Sequence, residues 1–546
     1  MPTLEMSKKD FEKLVGKKFA SRKELEEALW KAKTELEELN NDSIKASLED
    51  TNRPDLLSTE GIARELRYKL GLQKKIQAYK TKKSGITATI DPDLKNIRPK
   101  AAYAVAWNVK VSNEFLGQMI QLQEKICQTF GQKRKEVAIG VFDLDKVNGN
   151  VRYFAADPKT EFIPLEYKVK MSLDEILKEH PKGKEFACLL SGQKKYPLLV
   201  DSKNEVLSFP PIINSAGSGK VTEQTKNLFL DVTGFNQNKV NTALSIFCAA
   251  LADRKATIGS VEIQYGTKKI TTPSFEKKKI VFKKDLIETI TGMQKNDSHW
   301  KKRFQESGFE TTFKGNKIEC YYSNLRQDIL HGVDVIEDAL ISEGYNNIPL
   351  EEIKLSVIGN ESPKSLFVDA IRDACIGMGL QEVLSFTLSS REKQETLVGL
   401  QKETFVEIAN PTSLNTALFR KTIFPELLAF LAKNKHAVYP QHLFEVGKTL
   451  ELDSKSDTGV LEKDMVCIVL SNRKTSFSEI KSFLQAICNA FQWHFSIQET
   501  NHPAFESGQT GLIQIEQKKG IIGVLNKATR DNFGLEIPVS ILEIEL

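Results

Sequence analysis

Glu49-Asp50-Thr51-Asn52-Arg53-Pro54-Asp55-Leu56-Leu57-Ser58-Thr59-Glu60-Gly61-Ile62-Ala63-Arg64-Glu65-Leu66 is the stretch of this chain with the most distinctive pattern. Its first half has the composition of a turn, with a proline between an arginine and an aspartate. Its second half predicts a helix that Ser58 caps and Gly71 ends. The apolar residues on one face of that helix are Ile62, Ala63, Leu66 and Leu70.

The residues before this stretch predict further helix and strand. Ser43 to Leu48 alternates in polarity, which is typical of a strand. Upstream, Ser21 and Glu24 have the spacing of a capping box. Apolar residues then follow in steps of four and three, which predicts one amphipathic helix along Leu25, Leu29, Ala32, Leu36 and Leu39.

Length and composition indicate a multidomain globular protein. The chain has 546 residues, of which 40% are hydrophobic and 27% charged. At about 100–200 residues per domain, this length predicts roughly three to five domains. The net charge of +5, from 77 Lys and Arg against 72 Asp and Glu, is too small to argue for a nucleic-acid partner.

Cysteine spacing and hydropathy point to the cytoplasm. The seven cysteines contain no C-x-x-C pair, so we expect reduced thiols in the core. The N-terminus lacks the apolar run of a signal peptide, and no stretch of about 18 apolar residues occurs. We therefore expect no membrane association.

Changes in composition along the chain predict its domain boundaries. A polar, lysine-rich run over 74–85 ends the first domain, and the segment 359–363 has linker chemistry. Mixed strands and helices fill the region between them. The predicted fold class is α+β, with domains at 1–84, 85–268, 269–350 and 360–546.

Three carboxylates share one flank of a predicted helix over 333–342. Asp334, Glu337 and Asp338 stand at positions i, i+3 and i+4, and Asp328 lies six residues upstream. Clustered carboxylates repel one another without a cation, and oxygen-only ligands suit Mg²⁺. Acids near a helix N-terminus are also stable when simply solvated, and spacing alone favours that alternative.

A proline-asparagine loop and the strand after it form a second candidate site. Phe209 to Ser215 leads into a Gly-rich turn that ends at Lys220, and Leu228 to Gly234 reads as a strand. The turn does not match a phosphate loop, because Asn214 stands where the first glycine would be. Asp231 and Thr233 either belong to a binding rim or face solvent from a surface hairpin.

Three basic runs could follow a phosphate backbone, although such runs are more often solvated faces. They are Lys277-Lys278-Lys279, Lys283-Lys284 and Lys301-Lys302-Arg303.

Several motifs, in order, resemble the phenylalanyl-tRNA synthetase β-subunit family of the archaeal and eukaryotic cytosolic type. Residues 49–66 resemble its N-terminal B1 motif, and the segments 209–215 and 231–234 its B3/B4 editing domain. Residues 326–349 resemble its B5 domain. The segments Asn410-Pro411-Thr412-Ser413, Leu443-Phe444-Glu445-Val446-Gly447 and Asn532-Phe533-Gly534-Leu535 are similar to its class II catalytic-like domain.

This resemblance implies a division of labour between two chains. Family members form heterotetramers of two α and two β chains, in which the α subunit activates phenylalanine with ATP and transfers it to tRNA. The β chain then has an antiparallel-sheet domain without catalytic motifs. Phe419-Arg420-Lys421 lacks the Glu of an Arg-x-Glu motif, and Gly520-Ile521-Ile522-Gly523 lacks the Arg of a Gly-rich motif.

The resemblance also implies a metal site and an editing site. It assigns an Mg²⁺ ion, at or near the α subunit, to the carboxylates Asp328, Asp334, Glu337 and Asp338. A pocket shaped for phenylalanine rejects tyrosine by only about a hundredfold, so a second, hydrolytic site has a purpose. We expect the mixed α/β editing domain to hold a water and to sense the tyrosine hydroxyl through Asn214, Ser215, Asp231, Thr233 and Gly234.

Two other functions are compatible with these motifs. One is a tRNA-binding assembly scaffold that has lost its enzyme context, and the other is a stand-alone hydrolase that edits in trans.

Overall fold

The computed structural model describes residues 2–49, 52–350, 352 and 357–546. Its contacts divide the chain into two compact units, one up to residue 351 and one from residue 352. A single hydrophobic core runs across the predicted boundary at residue 84. The limits at 84, 268 and 350 therefore stay predictions of sequence composition. Among the described residues, no helix has both the length and the hydropathy to span a membrane.

The N-terminal part is an antiparallel three-stranded sheet covered by helices. Strand order is β1-β3-β2. The elements are β1 (Thr3–Ser7), α1 (Lys8–Val15), α2 (Arg22–Lys31), β2 (Thr34–Leu39), β3 (Ser43–Leu48) and α3 (Thr59–Lys69).

The prediction of one helix through Leu39 is wrong in its second half. Ser21 does cap α2, accepting a hydrogen bond from the Glu24 N–H at 3.2 Å. Lys33 then adopts the left-handed conformation, with a φ of 57°, and the chain turns into strand β2. Leu36 and Leu39 pair with β3. A four-three apolar spacing over so few residues cannot distinguish a long helix from a helix followed by a strand, because Leu36 is buried from strand β2 as it would be from a helix.

The distinctive stretch is a tight turn followed by a buried helix. Asp50 and Thr51 lie outside the described residues. Residues Pro54–Leu56 form one 3-10 turn, and Ser58 accepts a hydrogen bond from the Gly61 N–H at 3.0 Å, which confirms the predicted cap. A Cβ atom at Gly61 would lie 2.0 Å from the Asp55 carbonyl oxygen. Glycine is therefore required where α3 crosses this turn.

The middle part is built on a mixed ten-stranded sheet. The strand order is β12-β11-β10-β7-β4-β14-β5-β13-β6, with β15 paired to β14. The elements are β4 (Thr81–Ile90), β5 (Lys100–Trp107), α4 (Asn113–Gln128), β6 (Val137–Asp143), β7 (Val151–Ala156), β8 (Glu161–Phe162), β9 (Met171–Ser172), α5 (Leu173–Glu179), α6 (Pro181–Phe186), β10 (Tyr196–Asp201), β11 (Val206–Phe209), β12 (Ile213–Asn214), β13 (Leu228–Gly234), α7 (Gln237–Asp253), β14 (Thr257–Tyr265) and β15 (Lys268–Thr272).

Strand β13 has its two faces in two different cores. Leu228, Leu230 and Val232 pack with α4, α7 and the N-terminal helices. Phe229 belongs to a second core that joins β5, β6, β7, β10 and β11. Strand alternation places Asp231 and Thr233 on the same side as Phe229. The sheet therefore folds over the face that carries these two polar side chains.

Residues 278–343 form a small α+β unit with three antiparallel strands in the order β16-β18-β17. Helix α10 confirms the helix predicted over 333–342. The elements are β16 (Lys278–Lys283), α8 (Asp285–Thr291), α9 (Asp297–Glu306), β17 (Glu310–Lys314), β18 (Lys317–Tyr322) and α10 (Gly332–Glu343).

The second compact unit has a seven-stranded sheet in the order β19-β22-β23-β27-β26-β25-β24. Every pairing in it is antiparallel except that of β19 with β22. This agrees with the predicted antiparallel-sheet domain. The elements are α11 (Pro363–Gly377), β19 (Gln381–Glu382), β20 (Leu388–Ser389), β21 (Leu418–Phe419), α12 (Phe424–Lys433), β22 (Gln441–Leu452), β23 (Val460–Ser471), α13 (Phe477–Ala490), β24 (Phe495–Glu499), β25 (Phe505–Ile515), β26 (Lys518–Leu525), α14 (Lys527–Asn532) and β27 (Val539–Glu545).

Candidate functional site

A cavity of about 660 Å³ opens between helix α4, strands β6 and β13, and the loop after β11. This volume suits a small organic ligand. The rest of its wall comes from residues 165–168, His180 and Lys182, and from the turn between Ala216 and Val221. The polar side chains and the glycine that matter most for its chemistry are Arg134, Gly140, His180, Ser208, Asn214, Asp231 and Thr233.

Asp231 lies on β13, the strand next to the β6 edge of the sheet, opposite Tyr103 on β5 and Gly140 on β6. A Cβ atom at Gly140 would lie 3.2 Å from the Asp231 Oδ2 and 2.8 Å from the Phe142 ring. Because any larger residue would crowd that carboxyl, the glycine leaves Asp231 room on the cavity side.

The Asp231 carboxyl is buried, with only 3% of its residue surface exposed. The Ser208 hydroxyl donates a hydrogen bond to Oδ2 at 3.1 Å. Oδ1 has no hydrogen-bond partner among the described residues. Burial raises the pKa of Asp231 to about 7, although the Ser208 hydrogen bond and the Arg98 guanidinium both act to lower it. The site thus contains an acid that titrates near neutral pH.

Arg98 holds the end of strand β13 in place. Its buried guanidinium donates to the Thr233 hydroxyl at 2.9 Å and to the Thr233 carbonyl at 2.6 Å. A third bond reaches the Lys135 carbonyl at 3.0 Å. Since the Thr233 hydroxyl accepts from Arg98, its own proton can be donated to a second partner.

The loop after β11 is fixed by Arg134. This side chain donates to the carbonyls of Pro211 at 3.1 Å and Ile212 at 2.8 Å. Its guanidinium also lies over the Phe186 ring, 4.3 Å from the centroid. Asn214, at the end of the loop, donates to the Val141 carbonyl at 3.3 Å. Two walls of the cavity are therefore hydrogen-bonded to each other.

Three of the five predicted editing residues line the cavity, and two do not. Asn214, Asp231 and Thr233 are in its lining. Ser215 is buried behind the wall, where its hydroxyl lies 3.1 Å from that of Ser218. Gly234 lies where β13 meets the turn before β6, since a Cβ there would be 2.1 Å from the Glu136 carbonyl oxygen. Ser215 and Gly234 therefore shape the wall of the cavity from behind and do not line it.

The structure contradicts the alternative of a solvent-facing hairpin, because Asp231 and Thr233 are both buried in a strand that is paired on both sides. Sequence reasoning also missed Ser208, Arg134 and Gly140. Their roles depend on contacts across the sheet, and no local pattern in the sequence marks them.

The four predicted metal ligands do not converge on one point. Arg326 forms two hydrogen bonds to Asp328 and one to the buried Asp338 at 2.6 Å. Burial alone would raise the pKa of Asp338, but Arg326 and nearby lysines hold it well below its usual range. These two carboxylates already have a cation, which is an arginine of the same chain.

The other two carboxylates serve different partners. Asp334 caps helix α10, accepting from the N–H groups of Leu330 at 2.7 Å and His331 at 2.6 Å. Glu337 accepts from Lys33 at 2.9 Å. Within residues 2–49, 52–350, 352 and 357–546, no three His, Cys, Asp or Glu side chains are placed to hold a metal ion. The arrangement therefore does not fit the Mg²⁺ site that was expected from these four residues alone.

We expect the Tm of this chain by itself to change by less than about 1 °C between excess Mg²⁺ and EDTA. An ion at a hundred times its Kd would stabilise the fold by about 2.7 kcal/mol, which corresponds to several degrees. Differential scanning fluorimetry measures this directly. A rise of several degrees that disappears in Asp334→Asn would instead indicate a magnesium site at α10.

Three family models match successive parts of the chain. The model described as "B3/4 domain" matches residues 114–247, and "tRNA synthetase B5 domain" matches residues 280–345. The third, "Phenylalanyl tRNA synthetase beta chain CLM domain", matches residues 348–546. The cavity lies within the first of these matches.

Curated relatives match over the whole length. The phenylalanine–tRNA ligase beta subunits of Pyrococcus horikoshii and Thermococcus kodakarensis are each 40% identical to this chain, covering all of it and 99% and 98% of the relative. That of Archaeoglobus fulgidus is 34% identical over all of this chain and 98% of its own. A crystal structure of an N-terminal fragment of the P. horikoshii phenylalanyl-tRNA synthetase beta subunit is similar, with a TM-score of 0.61 and 42% identity. It covers 63% of this chain and 100% of that fragment.

Proposed function

The chain belongs to the phenylalanine–tRNA ligase β-subunit family, and on that basis we propose that it assembles with an α subunit into a heterotetramer of two α and two β chains. As a ligase subunit, it serves the attachment of phenylalanine to its tRNA. The match to ligase β subunits along the entire chain is the observation that supports this subunit role. The stand-alone hydrolase is not favoured, because it would need only the central domain. The scaffold is not favoured, because the relatives that match along the whole chain are named as ligase subunits.

We place the aminoacylation site on the α subunit, with ATP and its Mg²⁺ as ligands there. The central part of the second unit supports this. Arg420 is almost fully buried and forms an ion pair with Glu445 at 2.7 Å. It also donates to the Ser385 hydroxyl at 2.7 Å. An arginine held this way is committed to the fold and is not free to bind a phosphate. Because its tRNA is a translation substrate, we propose a cytoplasmic location for the enzyme.

Phenylalanine-dependent exchange of pyrophosphate into ATP tests this division of labour. We expect activity from the complex of this chain with its α partner and only background from this chain alone. Activity in this chain alone would place a working active site in its second unit. Inactivity of a folded, stoichiometric complex would contradict the subunit role.

We further propose that the cavity around Asp231 hydrolyses tyrosine from mischarged tRNA. Support comes from its size and from a buried acid with one oxygen that has no hydrogen-bond partner among the described residues. The Nε2 of His180, in the same lining, is also buried without a partner. A tyrosyl side chain would place its hydroxyl against the Asp231 Oδ1. Phenylalanine offers no such hydroxyl and would leave the acid unpaired, so the site discriminates in favour of the wrong product.

The hydrolysis itself needs no nucleophile from the protein. A water oxygen forms a bond to the ester carbonyl carbon, and the bond from that carbon to the ribose oxygen breaks. One water proton moves to the ribose oxygen, so that tyrosine and uncharged tRNA leave. Thr233 and Asn214 are the side chains we assign to holding the water, because both are polar residues of the cavity lining.

A further inference from the structure

Helix α4 has two functional sides. One side faces the cavity, through Leu116, Ile120, Gln123 and Glu124. At 100° per residue, Gln118 and Gln121 lie on the opposite half of the helix. This second half contacts the N-terminal part of the chain, so α4 is the element that separates the cavity from the first domain.

Arg254, just after helix α7, ties α4 to two N-terminal helices. Its Nη2 donates to the Gln118 side chain at 2.6 Å and to Asp10 on α1 at 2.6 Å. Its Nε also donates to Glu60 on α3. The guanidinium lies over the Phe115 ring, 4.7 Å from the centroid. One side chain thus reaches α1, α3 and α4, and a planar guanidinium with five donors suits this task.

A second link joins α4 to the edge of the N-terminal sheet. The Gln121 side-chain amide accepts from the Glu5 N–H at 2.8 Å and donates to the Glu5 carbonyl at 3.2 Å. Strand β1 is an edge strand, so its outward backbone groups need partners. Gln121 supplies both and fixes the position of α4 along that edge.

The packing around these polar links is continuous. Apolar side chains of α4 share one core with those of β1 and α1. They are Phe115, Met119, Leu122 and Ile126 from α4 with Leu4, Met6 and Phe11 from the first domain. Because close-packed interiors transmit small displacements, a shift of the first domain would move the α4 wall.

We infer that the N-terminal domain positions the α4 wall of the hydrolytic cavity, with Arg254 and Gln121 as its positioning residues. This inference rests on the proposed editing function. The first domain is then part of the editing apparatus even though none of its described residues lines the cavity.

The test measures deacylation of tyrosyl-tRNA by the complex with the α subunit. We expect Gln121→Ala and Arg254→Lys to raise the KM for tyrosyl-tRNA about 5- to 10-fold with kcat changed less than twofold. Phenylalanine charging by the same preparations stays within twofold of the wild type. Gln128→Ala, an exposed glutamine at the end of the same helix, serves as the matched control and leaves the KM unchanged.

The outcomes distinguish the proposed editing function from the proposed positioning role. No deacylation by the wild-type complex overturns the proposed editing function. Wild-type deacylation together with a Gln121→Ala variant that matches Gln128→Ala overturns the positioning role. Equal losses of charging and deacylation in both variants also overturn it, because they would show a general effect on folding. Gln121→Ala removes only one partly exposed side chain, so it tests the inference even if Arg254→Lys does not fold.

Discussion

Asp231→Ala will slow the hydrolysis of tyrosyl-tRNA by about 10- to 100-fold while phenylalanine charging stays unchanged. Hydrogen bonds to charged groups contribute about 1.5–3 kcal/mol, and the substitution removes such a bond to the tyrosine hydroxyl. The measurement is single-turnover deacylation by the complex with the α subunit, beside aminoacylation with phenylalanine by the same preparation. Unchanged deacylation would remove Asp231 from the site.

The selectivity of editing for tyrosyl over phenylalanyl ester should also depend on pH. Asp231 is protonated below its pKa of about 7 and ionised above it. The ionised carboxylate accepts a stronger hydrogen bond from a phenol hydroxyl, so selectivity for tyrosyl over phenylalanyl ester should rise about tenfold from pH 6 to pH 8. Asp231→Asn, which keeps the shape and cannot ionise, is the matched control. Its selectivity should be lower and independent of pH, and a parallel rise in both proteins would assign the titration to another group.

Arg53→Ala will lower the free energy of unfolding by about 3–5 kcal/mol. Arg53 is buried and donates to Asp55 and Glu65, each at 2.9 Å. Its Nε also lies 3.8 Å from Asp328 on the unit formed by residues 278–343. Removal of the guanidinium leaves the buried carboxylates of Asp55, Glu65 and Asp328 with less positive charge to offset the cost of their burial. Urea unfolding monitored by circular dichroism will show the loss as a lower midpoint.

Arg22→Ala provides the control for that measurement. Arg22 and Glu26 form an ion pair at 2.7 Å on the exposed side of α2. Exposed pairs of this kind contribute about 0.3–0.5 kcal/mol, so the midpoint should hardly move. If Arg53→Ala were as mild as Arg22→Ala, the buried carboxylates would have to be stabilised by something other than Arg53.

The spacing of residues along the chain was enough to predict the helix caps and to identify the family. Ser58 caps α3 because a serine oxygen three residues before an N–H can reach it, whatever surrounds the helix. The same holds for Ser21 on α2. The ordered motifs likewise identified a β subunit of phenylalanine–tRNA ligase, because the residues of each motif lie close together in sequence. Local spacing failed at Lys33, where tertiary pairing turned a predicted helix into a strand.

The partners of Asp338, Glu337 and Asp231 were decided by the tertiary structure. Asp328, Asp334, Glu337 and Asp338 were predicted as ligands of one cation because the sequence shows their carboxylates but not Arg326 and Lys33 folded against them. Arg254 reaches Glu60 across 194 residues, and Ser208 meets Asp231 only because the sheet folds over. Hydrogen bonds within a turn depend on a few dihedral angles. The partner of a buried charge depends on which distant elements the whole fold brings within 3 Å.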